Sequence, residues 1–174
     1  MQKQSFRKMM VQYVVFVSIL TLGMAASLAQ EKYQIKGNST YAIIDHQGAF
    51  LDDVMGTLLS MSKMEGVNYS TGAKEFMDEA RLLSVMRHDN MDGTSQGYSK
   101  FTKNDDVVYF KSETRLNNTL SDEGNPVTTF EGNFTAIKGT GQYDNIRGSG
   151  TFKGRYLSGY ILYVDWEGEY WIDK

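Results

Sequence analysis

After about residue 30, apolar and polar residues alternate with a period of two along most of the chain. In "VTTFEGNFTAI", Val127 to Ile137, one face holds Thr129, Glu131, Asn133 and Thr135, and the other holds Phe130, Gly132, Phe134 and Ala136. Successive side chains of a strand point to opposite faces, so this stretch predicts a strand with one face buried. "SGYILYVDWEGEYWI" is rich in β-branched and aromatic residues, but Ile161 to Val164 is apolar without a break, which predicts a strand covered on both sides. "QGYSKFTKNDDVVYFKSET" predicts two strands joined around Lys103 to Asp106, where Asn and Asp supply turn chemistry. "STYAIID", "TLLSMSKMEG" and "ARLLSVMRHD" each predict a further strand. The total of about eight short strands matches the spacing of an all-β sandwich or barrel.

Two stretches break the alternation. In "GAKEFMDEARLLSVM", Phe76, Ala80 and Leu83 can form a helical face opposite Glu75, Asp78 and Glu79, which predicts a short helical turn at Lys74 to Glu79 before a strand over "ARLLSVM". "GAFLDDVMG" suits a short helix or an irregular connection. The single proline, Pro126, falls in a predicted loop, so no proline-rich linker separates a second domain, and glycines punctuate the chain instead.

"IKGTGQYDNIRGSGTF", Ile137 to Phe152, places glycines in two G-x-G pairs. A dinucleotide loop needs G-x-G-x-x-G between a strand and a helix, and the other phosphate loop needs Gly-Lys-Ser/Thr. Neither pattern is present in this stretch, and the residues that follow it are strand-like. The phrase therefore predicts a strand, a compact crossing and another strand. Gly139 and Gly141 let the chain leave the first strand, Tyr143 and Ile146 cover one end of the core, and Gly148 and Gly150 return the chain to the sheet. Glycine suits these positions because it accepts positive φ and close backbone approach.

The longer phrase "FEGNFTAIKGTGQYDNIRGSGTFKG" resembles the signature of exported bacterial β-barrels of the allene oxide cyclase or dirigent-like kind. "FMDEARLL" and "SQGYSKFTKNDDVVYFK" agree with the same family in order and spacing, so the resemblance spans roughly Asn68 to Gly154. It implies a closed antiparallel barrel of about eight strands whose interior is either packed or holds one small ligand. It also implies relatives that form dimers or trimers, and exposed barrel aromatics would permit a homo-oligomer. The chain departs from the family in its hairpin, where Asn104-Asp105-Asp106 lacks the usual glycine, and in having no cysteine. The plant cyclases use a cysteine and a proline inside the barrel, so no catalytic residue transfers from them.

Charge and composition add a compartment. Lys3, Arg7 and Lys8 precede an apolar run from Tyr13 to Leu28 that ends in small residues at Ser27-Leu28-Ala29. This is the layout of a secretory signal peptide, and its sixteen apolar-run residues fall short of the ~20 needed to span a bilayer. The expectation is a signal peptide over 1–29, one domain over 30–174, a secreted or periplasmic location and no stable membrane anchor after cleavage. Removing 1–29 takes away three of the 18 basic residues and none of the 21 acidic ones, leaving a net charge of about −6. Nucleic acid is therefore not an expected partner. Without cysteine there are no disulfides or thiolate metal sites.

Candidate chemistry is sparse. His46 and His88 are the only histidines, and no helical spacing brings them together, so a metal site is not expected and solvated or capping roles are. "HDNMDG", His88 to Gly93, fits an acidic turn better than a calcium loop. No G-x-S-x-G marks a serine nucleophile, and no motif implies a cofactor. Asn38, Asn68, Asn117 and Asn133 each begin an Asn-x-Ser/Thr triplet. A carboxylate aimed into an apolar barrel could serve as a general acid, with Glu113, Glu131, Asp165, Glu167 and Glu169 as the strand-borne candidates, though most such groups face solvent.

Aromatic residues concentrate in the second half of the chain. Tyr98, Tyr109, Phe130, Phe134, Tyr163 and Trp166, with Glu113 and Glu131 as polar partners, are the candidate lining of a pocket for a small apolar or aromatic ligand. Methionines 55, 61, 64, 77, 86 and 91 would make such an interior adaptable. Three functions stay open: a binding or scaffolding barrel, a cyclase or isomerase with a polar group in its cavity, and a filled barrel with a structural or surface-interaction role.

Overall fold

A computed structural model describes residues 30–50, 58–89 and 93–174. The predicted signal peptide, most of "GAFLDDVMG", Met55, Met91 and the centre of the acidic turn lie outside these residues.

Eight strands run in order, β1 (Tyr33–Phe50), β2 (Leu58–Ser70), β3 (Arg81–Asp89), β4 (Thr94–Lys103), β5 (Asp106–Leu120), β6 (Pro126–Gly139), β7 (Ile146–Ser158) and β8 (Ile161–Ile172). Each pairs antiparallel with its neighbours in sequence, and β1 closes the barrel by pairing Tyr33 with Tyr170 through to Ala42 with Ile161 on β8. Closure leaves no edge strand within the sheet, which removes a surface for aggregation. The alternation read in β6 holds, since Phe130, Phe134 and Ala136 point inward and Thr129, Glu131, Asn133 and Thr135 outward.

Three expectations change. Ile161 to Val164 is covered on one side only, with Leu162 and Val164 inside and Tyr163 outside beneath Arg155. Pro126 opens β6 opposite Leu120, at a strand start where a missing N–H is tolerated. Lys74 to Glu79 forms no helical turn. Met77 and Glu79 instead adopt φ of 48° and 57°, and a knot of local hydrogen bonds replaces the helical ladder. In that knot Phe76 N donates to Ser70 Oγ at 3.0 Å, and Ser70 N donates to Asp78 Oδ1 at 2.7 Å.

This connection is a plug. Phe76, 1% exposed, enters one end of the barrel and packs edge-on or tilted against Phe110, Tyr143, Trp166 and Tyr170 at ring separations of 5.1 to 6.2 Å. Asn68, fully buried, anchors the plug by donating to the carbonyls of Phe76 and Met77. Its Oδ1 accepts from Ser39 Oγ and from Trp166 Nε1, both at 2.9 Å. Asn68 cannot accept a glycan in the folded chain, because its amide is used up inside the barrel.

The glycine phrase does what its pattern implied at Tyr143 and Ile146, which are buried at the plugged end beside a single 3₁₀ turn, Gly141–Tyr143. Gly141 has φ of 62° and needs the absence of a side chain for that reason. Gly148 and Gly150 do not adopt positive φ; they are needed for space, as a Cβ on Gly148 would come within 2.9 Å of the Tyr170 side chain. The same device recurs around the wall, with the Trp166 ring lying over Gly37, Phe152 over Gly132 and Phe130 over Gly154. A small barrel accommodates large inward rings by leaving their neighbours without side chains.

Candidate functional site

Beyond the plug the barrel holds a cavity of about 120 Å³. This is the scale of an apolar cavity of ~150 Å³ that accepts benzene. One wall, from β6 to β8, is apolar and mostly aromatic: Phe130, Phe134, Phe152, Tyr156, Leu162 and Trp166. The facing wall, from β2 to β5, carries the hydroxyls of Ser62, Ser84, Ser95, Ser99, Ser112 and Thr114, interleaved with Met64, Met86, His88, Phe101, Phe110 and Leu116. No Asp, Glu, Lys or Arg is among the described lining residues.

The candidate ligand residues divide by face. Phe130, Phe134 and Trp166 line the cavity. Tyr98 is 60% exposed on the outer face, Tyr109 lies outside between the inward Val108 and Phe110, and Tyr163 donates its hydroxyl to Asp165 on the surface at 2.9 Å. Glu113 pairs with Lys111 and Glu131 faces Lys153, both on the outer face. Asp165 and Glu167 are also outward, and Glu169 is held below the usual carboxylate range first by its hydrogen bond from Lys32. No strand-borne candidate carboxylate enters the cavity as a general acid, because each sits at the outward parity of its strand.

The polar chemistry comes instead from residues that sequence spacing set aside. His46 and His88, expected apart, have ring centres 6.4 Å from each other. The cause is a bulge in β1, where register shifts between Ile43 and Asp45. Strict alternation after the inward Tyr41 and Ile43 would turn His46 outward. The extra residue, Ile44, reverses the parity and sets His46 opposite Ser62. His46 Nδ1 then lies 2.8 Å from Ser62 Oγ, Ser62 Oγ lies 3.0 Å from His88 Nε2, and His88 Nδ1 lies 2.7 Å from Ser95 Oγ. Enclosure, and secondly the neighbouring His46, hold His88 below the usual imidazole range. Beside Ser95 in register, Thr114 lines the cavity with a buried hydroxyl that has no partner among the described residues. Among those residues no three His, Cys, Asp or Glu side chains converge.

Deeper in the barrel, Tyr41 borders the cavity with its hydroxyl between Ser39 and Ser99, and burial pushes its pKa up to about 12. In the unfolded chain the phenol ionises near 10, so between pH 10 and pH 12 the unfolded state loses its proton first. Tyr41 should therefore leave stability unchanged below pH 10 and lower it by roughly 2–3 kcal/mol by pH 12, taking ~1.4 kcal/mol per unit. Urea titrations of the protein and its Tyr41→Phe variant across that window check this. The variant is expected to lose that part of the slope, and identical slopes would show that Tyr41 ionises as freely in the fold as outside it.

The strands form an eight-stranded up-and-down barrel, the closed antiparallel architecture that the allene oxide cyclase or dirigent-like resemblance implies, around an internal two-sided cavity. No family model matches the sequence, and no curated protein matches it. Among solved structures the chain is similar to the pterocarpan synthase dirigent protein GePTS1, at 7% identity and a TM-score of 0.47, over 82% of this chain and 92% of that one.

Proposed function

We propose that the protein is an exported barrel that binds one small, neutral, mostly aromatic molecule in its interior. The observation behind this reading is the division of the cavity into an aromatic wall and a hydroxyl-rich wall, with no charged residue among its described lining. Such a lining favours a flat ring carrying a hydroxyl or carbonyl: the ring packs on Phe130 and Phe152, and the polar group meets serine and threonine hydroxyls. A carboxylate would have to shed its water with no cation to receive it, which costs several kcal/mol in an apolar site.

Calorimetric titration with p-cresol, toluene and p-toluate tests this preference. p-Cresol is expected to bind most tightly, toluene more weakly, and p-toluate at least about tenfold more weakly than p-cresol, on the cost of burying an unpaired charge. Equal affinity for all three would overturn the preference for a neutral, polar-tipped ring, and no affinity for any would overturn the reading in favour of a filled barrel. Export rests on the basic and apolar N-terminal pattern. Protein from the exported fraction should begin at Gln30, and an intact Met1 in the cytosol would contradict it.

A further inference from the structure

The hydrogen-bonded chain of His46, Ser62, His88 and Ser95 runs from solvent to the cavity. His46 is exposed at the barrel end opposite the plug, while Ser62, His88 and Ser95 line the interior. Its three links, at 2.7 to 3.0 Å, have the spacing of real hydrogen bonds, and each group can both donate and accept. We propose that this chain is a proton relay that makes the cavity a proton-transfer site, removing a proton from a bound neutral aromatic molecule and returning one.

With neutral rings, two arrangements satisfy all three links with every donor pointing the same way along the chain. In the first, Ser95 Oγ–H donates to His88 Nδ1, His88 Nε2–H donates to Ser62 Oγ, and Ser62 Oγ–H donates to His46 Nδ1. A lone pair of Ser95 is then free towards the cavity. When Ser95 Oγ takes a proton from the ligand, each proton moves one link outward and His46 Nε2 releases one to water. The relay is left in the second arrangement, with every donor reversed and Ser95 Oγ–H able to protonate the ligand. Returning that proton at another ligand atom, as His46 Nε2 takes one from water, restores the first arrangement. One proton leaves the ligand and one returns, no electrons are exchanged, and the net reaction is an isomerisation. His88 is the base nearest the cavity, Ser95 is the group in contact with ligand, and His46 exchanges with solvent.

The wall around His88 suits this role. Ser60 and Ser62 face it from β2, Ser95 from β4 and His46 from β1, so His46 is the titratable group among them. With its pKa held low, His88 is neutral at pH 7 and ready to accept a proton. Among the described residues no carboxylate stands behind it, so these residues do not offer a triad-type nucleophile at Ser62 or Ser95.

The inference rests on the proposed ligand cavity, and the two can fail separately. The probe is 5-nitrobenzisoxazole, a flat neutral ring. Loss of its C3 proton to a base breaks the N–O bond, forms a nitrile and leaves a coloured phenolate. The protein is expected to cleave it at least ~100-fold faster than free imidazole at equal concentration, at the low end of general-base effects. His88→Gln and Ser95→Ala should each lose tenfold or more while keeping a cooperative melting transition, and the outward Tyr98→Phe should lose nothing. The rate should rise to a plateau with a midpoint below the ordinary imidazole value. A rate no greater than that of imidazole, or one unmoved by both relay variants, overturns the relay; if p-cresol still binds, the cavity reading survives. In nitrogen-15 spectra of the histidines, the relay requires a single linked tautomer pair that Ser62→Ala uncouples. Two independently titrating rings would overturn it without any probe.

Discussion

Replacing Phe76 with alanine is expected to destabilise the protein by about 3–5 kcal/mol, the range for a large aromatic removed from a well-packed core. The ring is 1% exposed and sits among Phe110, Tyr143, Trp166 and Tyr170, side chains drawn from three separate parts of the barrel. The plug is held by backbone and Asn68 hydrogen bonds that the substitution leaves in place, so the connection has little freedom to collapse into the gap. Phe76 also lines the cavity, so the variant should accept larger rings even as it melts roughly 10 °C lower or more. Chemical denaturation measures the loss, and titration with p-cresol and a naphthol measures the change in size preference. A loss under about 1 kcal/mol would mean that the connection does not close the barrel end.

The second large effect is expected at Gly150→Val. Gly150 lies in the inner wall of β7, and a Cβ there would meet the Phe134 ring and the carbonyl of Glu167 on β8. The ring can turn away at some cost, but the carbonyl belongs to the β7–β8 ladder and cannot move without breaking pairing. A cost of about 3 kcal/mol, the upper part of the usual overpacking range, should follow. Gly159 supplies the comparison, since nothing lies within 4 Å of its Cβ position. Gly159→Ala should stay within about 0.5 kcal/mol of the parent protein. Shortening the neighbouring ring with Phe134→Leu should recover part of the Gly150→Val loss, because the two sites share one contact. Equal melting temperatures for Gly150→Val and Gly159→Ala would refute the packing account of the glycine phrase.

The placement of the candidate site shows where sequence reasoning stops. Phe130, Phe134 and Trp166 point inward and Tyr98, Tyr109 and Tyr163 outward, yet all six are aromatic residues on strands. Residue type does not distinguish them, because the outer face of this barrel also carries large apolar groups such as Met61, Val85 and Leu157. Parity would have separated them had each strand's register been known. The serine wall was equally hidden, since a serine on a strand is usually a solvent-facing residue and becomes cavity lining only when the sheet closes around it.

The period-two alternation, the Asn-Asp turn and the glycine phrase by themselves determined an all-β chain of about eight strands, the inward face of β6 and the burial of Tyr143 and Ile146. These are local properties, since a strand's two faces and a turn's backbone demands are written within a few residues. Tertiary structure alone decided that Phe76 would plug one end, that Gly148 and Gly150 would serve packing rather than backbone conformation, and that His46 would meet His88. His46 reaches that meeting through one extra residue, Ile44, and through the pairing of β1 with β2 and β2 with β3. Pairing register depends on contacts between residues far apart in the chain, and a one-residue shift exchanges the inside of a barrel with its outside.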